Sequence, residues 1–183
     1  MNVGSKIAEV RVSKSAICIV ALAAGGPTML GLLFLADALR PGRQDFRLVD
    51  LAMAMALFVP VGIIHELLHA LAAIVHGGLH PRDLRIRVVW KAGALACQIR
   101  VPIRVGTARF VALTPLVVTA FPVLGLFLWR PCHVLATLLG LTIIGCMADL
   151  IMVYCLRRLD ADLLVVDHPS EPAFDVYAPE GSR

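Results

Sequence analysis

The stretch Leu57-Phe58-Val59-Pro60-Val61-Gly62-Ile63-Ile64-His65-Glu66-Leu67-Leu68-His69-Ala70-Leu71-Ala72-Ala73-Ile74-Val75 sets two histidines and a glutamate inside an apolar run. The full run, Val49–Val75, exceeds the roughly 20 residues a helix needs to cross the hydrocarbon core. On that helix His65 and His69 lie one turn apart on the same face, where both rings can bind one metal ion. Glu66 is rotated by about 100° from His65 and flanks the same point as a candidate general base. Ionisable groups are expensive in such a place, about 2.5–3.5 kcal/mol each for charged types at mid-bilayer on insertion scales. Groups retained at that cost point to function.

Outward from this helix, three more apolar runs reach spanning length: Ala16–Leu39, Phe110–Trp129 and Val134–Leu156. The chain has 183 residues, 59% hydrophobic and only 16% charged, against about 25% charged in an ordinary soluble domain. The expected fold class is therefore an α-helical membrane protein with about four transmembrane helices. Gly25-Gly26-Pro27 is expected to kink or break the first run. A signal peptide is the rival reading of that run, because Lys6, Arg11 and Lys14 precede it. Its apolar character continues through Leu35, past a usual cleavage site, which favours a retained helix.

With both termini on the cytosolic side, that side carries 13 lysines and arginines and the other side 4. The positive-inside rule then puts both termini of a multi-pass membrane protein in the cytoplasm. Trp129 falls at the outer interface. The net charge of +4 belongs to this orientation pattern. With no glycine-rich phosphate loop and no basic-aromatic stripe, no nucleic-acid partner is expected. The five cysteines, Cys18, Cys97, Cys132, Cys146 and Cys155, form no C-x-x-C pair, so neither a disulfide framework nor a cysteine-rich zinc site is expected.

Between the second and third runs, Leu84-Arg85-Ile86-Arg87-Val88 alternates, Trp90-Lys91-Ala92-Gly93 can turn, and Leu95 to Val105 runs on. This reads as a β-hairpin-like loop at the cytosolic interface, with Pro102 ending or bulging its second strand. Residues 1–158 form the expected membrane-embedded domain. Residues 159–183, acidic and interrupted by Pro169, Pro172 and Pro179, read as a soluble, partly disordered tail.

A catalytic zinc takes three protein ligands and keeps one position open. His65 and His69 supply two. The position ten residues after His65 is Val75, not a third histidine, and no glutamate occurs between Glu66 and Glu171. Asp149 is the remaining candidate. His69 and Asp149 lie seven and eight residues from His76 and Arg157 at their helix ends, about 10 and 12 Å deep at 1.5 Å per residue. Asp37 and Asp50 belong to the opposite ends of their helices. Cys146, one turn before Asp149, reads as a packing residue; His76 reads as interfacial, and His80, His133 and His168 as solvent-side. Pro60 and Pro115 are expected to shape their helices.

These residues resemble two related groups. His65-Glu66-Leu67-Leu68-His69 on one membrane helix with Asp149 on a later one is distantly similar to the site-2 protease arrangement of intramembrane zinc peptidases. The closer resemblance is to a small bacterial family of zincin peptidases. It is carried by His65 to Ala70, the strand-like Leu84 to Val105, Leu113-Thr114-Pro115, Gly145 and Asp149-Leu150, and covers roughly residues 50–156. The chain departs from site-2 proteases at Leu150, where glycine is common, and at Leu68, where H-E-x-G-H has glycine.

The resemblance implies an intramembrane zinc metalloprotease, with Zn2+ on His65, His69 and Asp149 and with Glu66 as general base. It implies membrane protein or peptide substrates, and an exposed hairpin edge able to hold an unwound substrate strand. A homo-oligomer is compatible with the sequence. Two other classes compete. One is a catalytically silent metal-binding scaffold or regulatory module, which holds zinc without cutting peptides. The other is a metal transporter, disfavoured by having only four helices and no inverted repeat.

Overall fold

The computed structural model describes residues 3–40, 46–89, 94–168 and 173–179. Strand β1 (Val3–Arg11) leads into helix α1 (Lys14–Leu39), followed by α2 (Leu48–Val75), β2 (Leu84–Val89), β3 (Ala94–Ile99) and β4 (Ile103–Arg104). Then come α3 (Val105–Pro115), α4 (Phe121–Trp129), α5 (His133–Gly145), α6 (Met147–Leu156), β5 (Leu164–Asp167) and β6 (Ala173–Pro179). Helices α3 and α4 are joined by a wider π-helical segment, Leu116–Ala120, directly after Pro115. Proline removes a backbone donor, and a local π turn is one way a helix absorbs that loss.

Four helical stretches are long and apolar enough to cross a membrane: Ser15–Leu39, Leu48–Val75, Val105–Trp129 and His133–Leu156. Their large side chains turn outward; Leu22, Phe34, Leu48 and Val75 are all more than 70% exposed. A water-soluble bundle would bury such residues, whereas a lipid-facing one leaves them on its surface. The inner faces pack on Phe127, Val123, Leu138 and Leu139. Helix α1 approaches α5 closely at Gly140, where a Cβ would come within 2.5 Å of the Met29 sulfur. Small residues at such a contact let membrane helices meet at short range. Helix α1 runs through Pro27 without a break, so of the kink or break expected there the break does not occur.

The strands gather at one end of the bundle. The hairpin β2–β3 pairs Leu84 with Ile99 and Ile86 with Cys97; its expected turn, Trp90 to Gly93, lies outside the described residues. The second strand is shorter than the sequence suggests. It stops at Ile99, and after Pro102 the chain leaves to pair Ile103 with Val165 as β4. A second sheet has the order β1-β6-β5-β4. Residues 164–167 and 173–179 are therefore ordered strands, not a loose tail. Their apolar residues, Leu164, Val165 and Val176, are buried in a core shared with Ala73, Val105, Val111 and Leu156. Acidity and prolines marked this segment as tail, but the apolar positions decide its packing. Of the tail prolines, Pro169 and Pro172 lie outside the described residues.

Arg109 ties the third stretch to the end of the fourth. Its Nη2 donates to the carbonyls of Leu156 at 2.6 Å and Leu159 at 2.7 Å. Leu156 ends α6, and Leu159, in the turn after it, also donates its N–H to the Leu156 carbonyl at 3.0 Å. Arg109→Ala is expected to lower stability by roughly 1.5–3 kcal/mol, the usual value of hydrogen bonds to a charged group. A thermal melt in detergent checks this; an unchanged midpoint refutes the tie.

Candidate metal centre

Helix α2 presents His65 and His69 toward Asp149 of α6, and the two imidazole rings stand edge-to-face with centroids 4.9 Å apart. Asp149 enters from the first turn of α6. Its carboxylate lies 3.1 Å from His65 Nε2 (Oδ2) and 3.5 Å from His69 Nε2 (Oδ1). The junction that places it is at Cys146, between α5 and α6, where the N–H donates back to both Thr142 (3.1 Å) and Ile143 (3.2 Å). Cys146 keeps a helical backbone conformation, so the fourth stretch carries on through this junction, one turn before Asp149. One ligand atom each from His65, Glu66 and His69 fits within a 4.8 Å group. All four side chains are mostly buried, between 12% and 21% exposed.

The outer contacts orient the rings. His69 Nδ1 lies 3.0 Å from the Val111 carbonyl; a carbonyl only accepts, so Nδ1 carries a proton, and Nε2 is the ring atom turned to Asp149. A histidine held this way has the tautomer and direction that metal binding needs. Behind His65, Cys146 Sγ is 3.8 Å from Nδ1, on the far side of the ring from Asp149, which agrees with a packing role. Two imidazole Nε2 atoms converging with a carboxylate are a donor set suited to zinc. The residues present fit such an ion.

Glu66 looks the other way, toward the hairpin. Its Oε2 accepts the Cys97 N–H at 2.7 Å, while Oε1 sits 4.0 Å from His65 Nε2. Its carboxylate therefore bridges the metal group and strand β3. The Cys97 thiol is pushed up to about 11 by burial, with the Glu66 and Asp167 charges adding to it. It stays a neutral thiol near pH 7 and is no nucleophile.

Asp167 is the residue that sequence reasoning missed. It arrives from β5, and its Oδ2 accepts the Ile99 N–H at 2.7 Å. Burial pushes its carboxyl up to about 6, against the opposing Ile99 hydrogen bond and the nearby His69 and Arg87. Together with His69 and Asp149 it lines a cavity of about 210 Å³. On the other side of the metal group, an apolar cavity of about 420 Å³ touches His65, Glu66, Phe58 and Leu95. Nothing in Val165-Val166-Asp167-His168 signals a site, because the convergence of β5 on β3 is long-range.

Two other histidines, His133 and His168, depart from their solvent-side reading. His133 Nε2 lies 2.7 Å from Asp37 Oδ1 at the other end of the bundle, and its side chain is only 12% exposed. His168 lines the smaller cavity rather than facing open solvent. His76 packs against Phe110, with ring centroids 4.1 Å apart.

A comparison with protein-family models finds one described as "Putative zincin peptidase", matching residues 58–164. No curated protein and no solved structure matches the chain.

Proposed function

The chain belongs to the family described as "Putative zincin peptidase", and from that premise we propose that it is an intramembrane zinc metalloprotease, hydrolysing peptide bonds of membrane-associated or transmembrane substrates. The observation that carries the reading is the convergence of Asp149 on both Nε2 atoms, with Glu66 beside them. His65, His69 and Asp149 would hold the zinc. When bound, zinc supplies Lewis acidity, which makes a water acidic enough to react near pH 7 and polarises a carbonyl.

The protein's own groups do the remainder. Glu66 takes the proton of the attacking water on its carboxylate and returns it to the leaving amine. Val111 and Cys146 hold the rings of His69 and His65 in place. The peptide lies extended between the metal group and β3, because the carbonyls of a helical substrate are already hydrogen-bonded. Among the described residues no strand pairs with the outer edge of β3, so strand addition can hold the peptide there. The apolar cavity at Phe58 and Leu95 accommodates a substrate segment drawn from the membrane, and the smaller cavity at Asp167 its flank.

Because β1 pairs with β6, the first and last described strands lie together at the end of the bundle that carries the hairpin. In this reading the arginine and lysine distribution assigns that side to the cytoplasm of a bacterial inner membrane. The test is hydrolysis in lipid vesicles of synthetic peptides, each an apolar segment with polar flanks. Cleavage is expected to vanish on chelation and to return with zinc. Zinc bound with no peptide cut would favour the silent scaffold instead.

A further inference from the structure

The outer edge of β3 carries two carboxylates in a regular relation. Even-numbered residues of this strand turn toward β2, as the Arg100 N–H does in donating to the Asp83 carbonyl at 2.9 Å. The odd-numbered residues Leu95, Cys97 and Ile99 turn their N–H groups the other way. Cys97 N–H is held by Glu66 and Ile99 N–H by Asp167, each at 2.7 Å. In an extended strand these donors are consecutive rungs, about 6.8 Å apart. The two cavities follow the same edge, one reaching Leu95 and the other Ile99, with the metal group alongside.

The two carboxylates are anchored differently. Glu66 stands on α2 beside the metal group. Asp167 is fixed by a sheet: β5 pairs with both β4 and β6, with Asp167 opposite Phe174. The neighbouring His168 closes this further, its N–H donating to Ala173 at 2.8 Å and its carbonyl accepting Gln98 Nε2 at 3.3 Å. A peptide strand that pairs along β3 can take over the Cys97 rung as Glu66 turns to its water. At Ile99 it meets a donor already occupied and a carboxylate that repels its carbonyl oxygens.

We propose that Asp167 is a specificity-determining residue that fixes the register of the substrate strand on β3, so that one peptide bond is presented to the metal group. The inference rests on the peptidase reading. Pairing is confined to Leu95 and Cys97, and Asp167 marks where it ends. Opening the Ile99 rung permits the strand to advance by two residues, the period at which a strand repeats its edge groups.

The test uses the full chain, zinc-loaded, in phosphatidylethanolamine–phosphatidylglycerol vesicles with the synthetic peptides described above, reading the cut bond from product masses. Wild type is expected to cut each peptide at one bond. Asp167→Val and Asp167→Ala, with folding checked by retained zinc, are expected to cut in addition at a bond two residues away. Asp167→Asn, which keeps an acceptor oxygen for Ile99, is expected to retain the wild-type bond. A wild-type pattern spread over several bonds overturns the assignment without any variant. An unchanged single bond in the zinc-retaining valine or alanine variant overturns it alone. Failure of wild type to cut any peptide overturns the peptidase reading, and this assignment with it.

Discussion

Asp149→Ala is expected to lose its zinc while the protein remains folded. Wild type purified in detergent should carry about one zinc per chain, as a three-ligand site does. Removing Asp149 leaves two imidazoles, both from α2, and takes away the carboxylate that, among the described residues, reaches both Nε2 atoms from another helix. Even partners that merely orient a ligand cost about 10–100-fold in metal affinity when mutated, so loss of a direct ligand should cost at least roughly 100-fold. The geometry makes the effect specific. Asp149 approaches both Nε2 atoms, 3.1 and 3.5 Å away, whereas Asp37 pairs with His133 at the other end of the bundle. Asp37→Ala should therefore keep full zinc. Metal analysis of the three proteins side by side decides the matter. Full zinc in Asp149→Ala discards Asp149 as a ligand; no zinc in folded wild type removes the metal reading altogether.

The comparison of sequence with structure turns on the range of each interaction. The spanning stretches were legible because apolar length is a local property, and Val49–Val75 differs from α2 by a single residue at its start. His65, Glu66 and His69 were legible because helical spacing alone puts them together. Asp149 could be reached by elimination and depth, since helices of known rise fix how far each group lies from an end. The sheet was not legible. Leu164-Val165-Val166 and Val176-Tyr177 are strand-forming residues, but they stand in a segment with many acids and prolines, and their partners β1 and β4 lie far away in sequence. Asp167 went unrecognised for the same reason. Its role depends on Ile99, 68 residues earlier, and no local pattern encodes that meeting. The same holds for Val111 behind His69, a backbone carbonyl whose residue type carries no signal.

Glu66→Gln should keep the zinc and lose the cleavage. The glutamine has the shape of the glutamate, and its amide oxygen still accepts the Cys97 N–H that Glu66 Oε2 holds at 2.7 Å. The metal group and the β3 edge should therefore be undisturbed. What the amide lacks is the capacity to take a proton from water. General-base catalysis contributes roughly 10²–10⁴-fold, and kcat should fall by that order. The split between constants separates two roles that Glu66 could fill. If its importance lay in tethering β3, glutamine would preserve activity, because it preserves the hydrogen bond. If it is the base, kcat falls while KM stays near the wild-type value, the pattern of an interaction made only in the transition state. Glu66→Asp sharpens the contrast by keeping the carboxylate but drawing it back by one methylene. Misplacement by about 1 Å can itself cost on the order of 10²-fold, so aspartate should recover only part of the rate. Wild-type kcat in Glu66→Gln would remove Glu66 from the chemistry and leave its bond to Cys97 as a structural contact.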